Sequence, residues 1–578
     1  MTTLGSWILQ FQERDGVAVE YKINNKWAKI SWKEYLDKII STSYFLSQLN
    51  IKDHTHVGIM SQTRWEWAVI DLAILGSGHI TVPFYPNLSD DDFIFMVNHS
   101  EVEVLFIEND ENHKQYLRIQ NQILKKVKVV LMSEVDMNTS ISHEMRIAYL
   151  KACSHLKSKD TATIVYTSGT TGQPKGAVLL HETIFSEVTE SFDLFGIKKQ
   201  YKSLTFLPFA HVLGRIEHWG SAYNGHTIAY AESFEKIKYN LIEVKPEFMI
   251  TVPRLLEKFY AAIMAKIETQ PFKLKIFRKA LAVSKKLQYY RRTKQNIPWP
   301  LLIQFEALNQ IAFSPVKNAF GGNFIFAISG GAPLSNQLGK FFSECGINIL
   351  EGYGLTETCA AVTVNHYLNN QPGTVGYPIG DVHIKFAPDQ EILIKSKKCF
   401  SEYYKDPEAT ALVKNNNYFA TGDIGHLTPS GALVITDRKK DLIKTAGGKY
   451  VAPQKLEGLL KEDTLISQVL VHGDQKKYIS VLISIDDSQI EQWFKNQNLE
   501  APTDEGSHLS REHPAIKARI QQHIKKINSK LASYESIKRF EIVPDTWTVE
   551  NGCLTQSLKV KRKFIEEKYT QLIKEMYE

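Results

Sequence analysis

The chain has 578 residues, which is too many for one hydrophobic core and predicts at least two domains. Hydrophobic residues make up 43% of the chain and charged residues 23%, values that exclude a disordered or fibrous protein. The formal net charge of +6 is small for this length, so no nucleic-acid partner is expected, although a local basic patch is allowed.

Short apolar runs alternate with helical patterns through the first part of the chain. Residues 65–75 have the apolar spacing of a helix, and strands are predicted at 56–60, 79–83, 102–107 and 127–131. Alternation of strands and helices over several hundred residues predicts an α/β domain with parallel sheets.

A glycine-rich loop lies between two β-prone runs, 163–165 and 177–180. Residues 166–176 combine three glycines, four Ser or Thr hydroxyls and one lysine. Glycines let backbone N–H groups face an anion, and hydroxyls and lysine contact phosphate oxygens. The loop is not a Walker A sequence, and Pro174 suits a hairpin better than the start of a helix. It predicts a triphosphate site, with a polar hairpin that binds no ligand as the alternative.

One segment has an unusual charge pattern. Residues 272–294 carry nine basic side chains and no acidic one, and apolar residues recur among them at helical spacing. Such a helix can rest on an anionic bilayer. We favour an ordinary helix that packs its apolar stripe on the core, and a peripheral membrane contact stays as the alternative.

The last part of the chain has its own pattern. Paired strands are predicted at 466–471 and 479–485, an amphipathic helix at 514–531, and a hairpin turn at Asn551-Gly552. These elements indicate a small α+β domain. We therefore divide the chain into domains 1–437 and 438–578.

Five further motifs follow the glycine-rich loop in a fixed order. They are Ser329-Gly-Gly-Ala332, Glu351-Gly-Tyr-Gly-Leu-Thr-Glu357, Thr421-Gly-Asp423 with Asp437-Arg438, Lys444-Thr-Ala-Gly-Gly-Lys-Tyr450, and Leu558-Lys-Val-Lys-Arg562. Each alone has an ordinary structural alternative, such as a turn or a solvated basic run. Together they resemble the adenylate-forming enzyme superfamily of AMP-forming acyl-CoA synthetases, and most closely its long-chain fatty acid–CoA ligases.

The resemblance implies a fold and a reaction. It implies an α/β fold: a large N-terminal domain with stacked mixed and parallel sheets and helices, and a smaller, mobile α+β C-terminal domain with the catalytic lysine. The implied ligase uses ATP, Mg²⁺ and CoA. It would activate a long-chain fatty acid to acyl-AMP and transfer the acyl group to CoA, giving acyl-CoA, AMP and pyrophosphate.

The resemblance also implies roles for individual residues. Lys559, Glu357 and Lys175 would be catalytic, and Glu357 with Thr167 would hold Mg²⁺. His211 would lie at the acyl pocket, and Gly447, Gly448 and Lys449 would border CoA. The nucleotide would be bound by Thr167, Ser168, Gly169, Thr170, Thr171, Gly172, Gly330, Gly331, Ala332, Glu351, Gly352, Tyr353, Gly354, Thr356, Asp423, Arg438, Lys440 and Lys444.

Within this set, the resemblance implies adenine stacking for Tyr353, ribose binding for Asp423 and Arg438, and a domain hinge at Lys440. A fatty-acid carboxylate is ionised at neutral pH, because carboxyl pKa values lie near 4. The first step therefore needs no general base. Its obstacle is repulsion between two anions, which Lys559, Lys175 and Mg²⁺ would offset.

Other functions stay open at this stage. One is a fatty acyl-AMP ligase that loads a carrier protein in trans. A peptide-synthetase-like adenylation domain is disfavoured, because residues 208–215 offer no aspartate for a substrate ammonium. A third is a peripheral membrane-binding module with a vestigial nucleotide site. The scattered cysteines and the N-terminus, which lacks a signal-peptide pattern, predict a cytoplasmic location, with peripheral attachment to the inner face of a membrane as an addition.

Overall fold

A computed structural model describes residues 2–167, 173–293, 295–496, 499, 511, 513–555 and 559–578. The strands are β1 (Val17–Ile23), β2 (Lys26–Ser31), β3 (His56–Met60), β4 (Ile80–Phe84), β5 (Val104–Ile107), β6 (Lys128–Leu131), β7 (Thr161–Thr167), β8 (Lys175–Leu180), β9 (Lys202–Thr205), β10 (Thr227–Tyr230), β11 (Phe248–Thr251), β12 (Phe326–Ser329), β13 (Asn348–Leu355), β14 (Ala360–Val364), β15 (Tyr377–Pro378), β16 (His383–Phe386), β17 (Glu391–Lys395), β18 (Lys414–Asn415), β19 (Tyr418–Leu427), β20 (Leu433–Arg438), β21 (Ile443–Lys444), β22 (Tyr450–Val451), β23 (Ile466–His472), β24 (Ile479–Ile485) and β25 (Ile537–Ile542).

The helices are α1 (Leu4–Ile8), α2 (Trp32–Ser47), α3 (Trp65–Gly76), α4 (Asp90–Ser100), α5 (Asp110–Ile119), α6 (His143–His155), α7 (His181–Phe195), α8 (Val212–Asn224), α9 (Ile237–Val244), α10 (Pro253–Glu268), α11 (Pro271–Arg292), α12 (Trp299–Leu308), α13 (Ser314–Ala319), α14 (Asn336–Glu344), α15 (Pro407–Val413), α16 (Pro453–Leu460), α17 (Asp487–Asn496), α18 (Pro514–Asn528), α19 (Arg562–Lys568) and α20 (Thr570–Glu575). A π-helical turn, Asn309–Phe313, joins α12 to α13.

Two large sheets form the framework of the first domain. One has the strand order β6-β5-β3-β4-β7-β8 and the other β15-β14-β13-β12-β11-β9-β10-β1-β2. The inner strands are parallel, and antiparallel partners occur only toward the edges, as at β7–β8 and β13–β14. The predicted α/β class and the strands and helix predicted between residues 56 and 131 are confirmed.

Large aromatic side chains hold these layers together. Trp7, Trp32, Trp67 and Trp219 are fully buried in one core between the sheets and their helices. α3 is buried on nearly every side, which explains its nearly continuous apolar sequence. A third sheet, β16-β17-β19-β18 with β20 on β19, leads toward the last domain.

The C-terminal domain has a hydrophobic core of its own. β23 and β24 pair antiparallel, and β25 adds parallel to β24. α18 buries Ile516, Ile520, Ile524 and Ile527, each about one turn after the previous one, against this sheet. The predicted strands and helix are confirmed. Asn551 and Gly552 do form a turn, but the hairpin prediction is wrong, because Thr548 and Asn551 hydrogen-bond each other locally and no paired strands flank them in the described residues.

The basic segment forms α11, as its periodicity predicts. Phe277, Ala280 and Leu287 are buried on the core, and the lysines and arginines described on this helix are exposed. Among the residues that the structure describes, no helix has both the length and the apolar character needed to cross a bilayer.

Candidate functional site

The glycine-rich loop joins two antiparallel strands, as predicted. β7 ends at Thr167, which is opposite Lys175 at the start of β8, and the Thr167 hydroxyl lies 3.4 Å from the Lys175 carbonyl oxygen. Both predicted phosphate contacts therefore lie at the mouth of one hairpin. The predicted contacts Ser168, Gly169, Thr170, Thr171 and Gly172 lie outside the described residues.

Tyr403 connects the hairpin to the predicted metal ligand. The Lys175 ammonium lies 5.1 Å from the centre of the Tyr403 ring, and the Tyr403 hydroxyl donates a 2.7 Å hydrogen bond to Glu357 Oε1. Burial and the neighbouring carboxylate raise the pKa of Tyr403, so this hydroxyl keeps its proton. Carboxylate and hydroxyl oxygens suit Mg²⁺, so Glu357 and Thr167 fit the ion by ligand chemistry.

The segment around Tyr403 is fixed by backbone hydrogen bonds. Val178 N donates to Glu402 O, and Tyr404 N donates to Gly176 O, so residues 401–404 lie along β8. Phe400 N donates a 2.7 Å bond to Glu357 O. β8, which follows the glycine-rich loop, and the predicted metal ligand Glu357 are thus attached to one continuous segment.

The Glu351–Glu357 motif is itself part of a strand. β13 includes residues 348–355 and pairs antiparallel with β14. The backbone of β14 lies so close to Gly354 that a Cβ on this residue would be 1.4 Å from Ala360 O. The geometry therefore requires glycine at Gly354. Thr356 and Glu357 follow in a single 3₁₀ turn.

Gly330, Gly331 and Ala332 follow β12 and lie beside β13, its parallel neighbour. Gly331 has a φ of +79°, a backbone conformation that favours glycine. Glu351 accepts a hydrogen bond from Leu334 N, and burial raises the pKa of Glu351 to about 8. Glu351 therefore holds this loop against β13, a contact that the sequence did not indicate.

Tyr353, Asp423 and Arg438 form the predicted nucleoside end of the site. The Tyr353 hydroxyl donates a 2.7 Å hydrogen bond to Asp423 Oδ2, and Arg438 Nε lies 3.2 Å from Asp423 Oδ1. Burial raises the pKa of Asp423, and the Arg438 charge opposes this shift. Gly352 lies on the same strand as Tyr353, with Thr363 O 3.2 Å from where its Cβ would be.

Lys559 comes from the C-terminal domain and reaches this cluster. Although the residue retains exposed surface, surrounding protein withdraws water from its ammonium. This desolvation, with the nearby Arg438 and Lys440 charges, lowers the pKa of Lys559 to about 8, while Asp423 and Glu357 act in the opposite direction. Desolvation also lowers the pKa of Lys440. The structure therefore brings the last predicted catalytic group beside residues more than one hundred positions earlier.

A small apolar cavity lies between α7, α8 and the nine-stranded sheet. Its wall includes Leu213, whose side chain lies against Gly330. A Cβ on Gly330 would be 3.3 Å from a methyl carbon of Leu213. His211 caps α8, because its Nδ1 accepts a hydrogen bond from Leu213 N. Burial lowers the pKa of His211 to about 4, and the charge of Lys559 makes a smaller contribution in the same direction. Other wall residues are Phe192, Phe195, Ile216, Phe248, Ile250 and Ile328.

Two family models cover most of this chain. The AMP-binding enzyme model matches residues 10–404, and the AMP-binding enzyme C-terminal domain model matches residues 440–578. The chain belongs to the AMP-binding enzyme family.

Curated relatives from this family match along nearly the whole chain. Long-chain-fatty-acid–CoA ligase FadD15 of Mycobacterium tuberculosis is 33% identical over 97% of this chain and 94% of its own length. Long chain acyl-CoA synthetase 1 of Arabidopsis thaliana is 28% identical over 95% of this chain and 87% of its own length.

Solved structures agree on the fold. The adenylation domain of a Mycobacterium chelonae carboxylate reductase has a TM-score of 0.75 at 20% identity, covering 100% of this chain and 91% of that domain. The o-succinylbenzoate CoA synthetase of Bacillus subtilis has a TM-score of 0.69 at 19% identity, covering 97% of both chains. AMP-binding enzymes therefore share this arrangement of a large and a small domain.

Not every predicted residue of this AMP-binding enzyme joins the cluster. Gly447, Gly448 and Lys449 lie in the exposed turn between β21 and β22, and Lys444 N hydrogen-bonds Asp474. The hydrogen bonds described for this turn stay within the small domain.

Two parts of the site in this family member have no signal in the sequence. Tyr403 belongs to no motif, and it became visible only through its contacts with Lys175 and Glu357. The apolar cavity is built from residues scattered between positions 187 and 379, which have no linear signature.

Proposed function

We propose that the protein is a long-chain fatty acid–CoA ligase that uses ATP, Mg²⁺ and CoA. The observation that carries the proposal concerns the charges around Lys559: this residue of the small domain lies close enough to Asp423, Arg438 and Glu357 for their charges to act on its ammonium. A positive charge there would offset the repulsion between a carboxylate and a triphosphate that meet at this site. The names of the curated relatives support the same activity.

The first step joins the carboxylate to the α-phosphorus of ATP and releases pyrophosphate. Lys175 and the hydroxyl of Thr167 would bind the leaving phosphates, and Lys559 would bind the carboxylate and the α-phosphate. Mg²⁺ would be held by Glu357 and Thr167 and would supply further positive charge. Asp423 and Arg438 would bind the ribose, so that the two anions are held in line.

The second step breaks the mixed anhydride as the CoA thiol attacks the acyl carbonyl, with AMP leaving. Lys559 must first withdraw. We propose that the small domain, residues 438–578, rotates about Lys440 against residues 1–437. The exposed turn with Gly447, Gly448 and Lys449 would then border CoA.

An assay of the full chain with ATP, Mg²⁺, CoA and acids from acetate to long chains tests the proposal. Long-chain acids should give acyl-CoA and AMP, and acetate very little of either. Acyl-AMP that accumulates without thioester would favour a ligase that loads a carrier protein. Absence of AMP release with every acid would contradict the enzymatic proposal.

A cavity variant sharpens this assay. Ile216→Phe adds volume to the wall of the apolar cavity and should shift the preference toward shorter acids. Ile242→Phe makes the same change at an exposed position and should leave the preference unchanged. A parallel shift in both variants would show that the cavity is not the acyl site.

Peripheral membrane association through residues 272–294 also stays a proposal, as does a location at the inner face of a membrane. The buried stripe of α11 cannot enter a bilayer, so α11 contributes mainly the charge of its exposed lysines and arginines. Binding through α11 should therefore fall steeply with salt and be lost in Lys285→Glu/Lys286→Glu. Unchanged vesicle binding in this variant would exclude α11 as the contact.

A further inference from the structure

α12 is an apolar helix with no fully buried residue, and only one of its sides packs, partly buried, against the core. Its sequence is Trp-Pro-Leu-Leu-Ile-Gln-Phe-Glu-Ala-Leu, yet Trp299 is 71% exposed, Ile303 59% and Leu302 41%. These three residues are spaced i, i+3 and i+4, so they share one face of the helix. With the exposed Pro300 they form what we call the α12 surface. Scattered exposed apolar residues are common on proteins, but a contiguous apolar helix face marks an interaction site.

The charge around the α12 surface selects its partner. α12 packs against α11 and is joined to it by residues 293–298 only. Between Glu268 and Glu306 the sequence contains no acidic residue, and the exposed bases of α11 include Lys285, Lys286 and Arg291. An apolar helix face beside a helix whose charged residues are all basic matches the interface of a bilayer with anionic headgroups.

We infer that the α12 surface inserts into the interface of an anionic membrane while the basic face of α11 contacts its headgroups. The aromatic ring of Trp299 suits the boundary between headgroups and acyl chains. Exposed Tyr289, near the end of α11 from which α12 continues, adds a second such ring. Glu306 lies about two turns beyond Trp299 and limits the inserted part to the start of α12.

The two helices supply different forces, and this makes the inference testable. Attraction between lysines and anionic headgroups is screened by salt, whereas burial of apolar surface is not. Binding by α11 alone would disappear at high salt. Binding that includes the α12 surface should keep a salt-resistant part.

The experiment is co-sedimentation of the full chain with vesicles of phosphatidylcholine and phosphatidylglycerol, at low salt and at about 0.5 M salt. We expect Leu302→Ser/Ile303→Ser to weaken binding roughly tenfold or more and to remove the salt-resistant part. Trp299→Ala should have the same direction of effect. The matched control is Leu124→Ser/Leu412→Ser, two leucines that are each 84% exposed elsewhere, and it should bind like the wild type.

Two results would overturn the inference. One is equal vesicle binding, or equal absence of binding, in the wild type and the α12 variants. The other is a concentration-dependent dimer of the wild type that the same variants convert to monomer, because the α12 surface would then contact a second copy of the chain.

A kinetic measurement separates this inference from the proposed function. Unlike the vesicle-binding experiments, it rests on the proposed ligase activity. The α12 variants should raise the apparent KM for a long-chain acid presented in vesicles, and leave that for a short, water-soluble acid unchanged. An inactive wild type that still binds vesicles would refute the ligase and keep the membrane contact. An active enzyme that does not bind vesicles would support the ligase and refute the membrane contact.

Discussion

Arg254 of the large domain and Asp486 of the small domain form an ion pair, with Arg254 Nη2 3.6 Å from Asp486 Oδ2. The same nitrogen donates a 3.2 Å hydrogen bond to Ser467 on β23. The start of α10 is therefore attached to the sheet of the small domain. These contacts stabilise the orientation in which Lys559 lies near Asp423 and Arg438, the predicted ribose contacts.

Removing this attachment should slow only the first half-reaction. The pair is partly exposed, so its contribution is below about 1 kcal/mol, and we expect Arg254→Ala to lower the rate of adenylation roughly two- to fivefold. Pyrophosphate exchange measures this step, and thioester formation from supplied acyl-AMP measures the second. Arg118→Ala, which breaks a surface pair with Asp90 inside the large domain, is the control. Equal loss in both steps would argue against an orientation effect.

Lys559→Ala should abolish adenylation and spare the thioester step. The lysine is expected to offset the repulsion between carboxylate and phosphate, which exists only before acyl-AMP has formed. The same two assays test this separation. Lys561→Ala, two residues further along the tail, should retain both activities. If Lys559→Ala formed no thioester from acyl-AMP, the proposed withdrawal of Lys559 would be wrong.

Adenylation should weaken as the pH rises through about 8. The pKa of Lys559 is lowered to about 8 in the free protein, so the required ammonium is present below this pH and is lost above it. The pH profile of kcat/KM for pyrophosphate exchange reports this group in the free enzyme. Lys559→Arg should move the decline to higher pH, because guanidinium stays protonated. An unchanged profile would assign the decline to another group.

Tyr403→Phe should raise the Mg²⁺ concentration needed for half-maximal adenylation by roughly tenfold, because Glu357 loses the hydrogen bond that orients it. The ring that contacts Lys175 is retained, so KM for the fatty acid should change little. Mg²⁺ titration of the pyrophosphate exchange rate is the measurement. Tyr404→Phe, whose hydroxyl lies 3.4 Å from Glu101, serves as the neighbouring control. A similar Mg²⁺ requirement in both variants would contradict the assigned role.

The stability of the large domain should depend on Asp71. This fully buried carboxylate lies 2.6 Å from Arg215 Nη2 and accepts from Thr81 and Trp219. Asp71→Ala leaves the guanidinium buried without its counter-charge, which costs about 3–5 kcal/mol. Urea unfolding should show a clearly lower free energy of unfolding for this variant, and an unchanged one for Asp91→Ala at an exposed site. Equal midpoints would mean that Arg215 finds another partner.

Local sequence carried most of the framework. The strands before residue 131 and the β7–β8 hairpin follow from short-range patterns, and the motif order named the residues around Lys559. Tyr403 could not be predicted, because its role depends on backbone pairing between residues 176–178 and 402–404, far apart in sequence.

One expectation failed, and one feature could not be predicted, for physical reasons. At Asn551-Gly552, side-chain hydrogen bonds from Thr548 and Asn551 form the turn without paired strands, and residue preferences alone cannot distinguish these cases. The exposed surface of α12 could not be predicted from the sequence, because an apolar helix is normally expected to be buried. Only the exposure of Trp299 and Ile303 shows otherwise.

The separate core of the small domain has a consequence for the rate of the first step. Lys559 belongs to the small domain, which is joined to residues 1–437 by the short stretch around Lys440. The lysine would therefore act as a group that is covalently tethered to the site. A short tether gives an effective concentration in the millimolar range, which falls steeply as the tether lengthens. If Lys559 has the proposed role, the length of the connection between domains would itself set the rate of adenylation, and glycine insertions would change that length without altering any contact in the site.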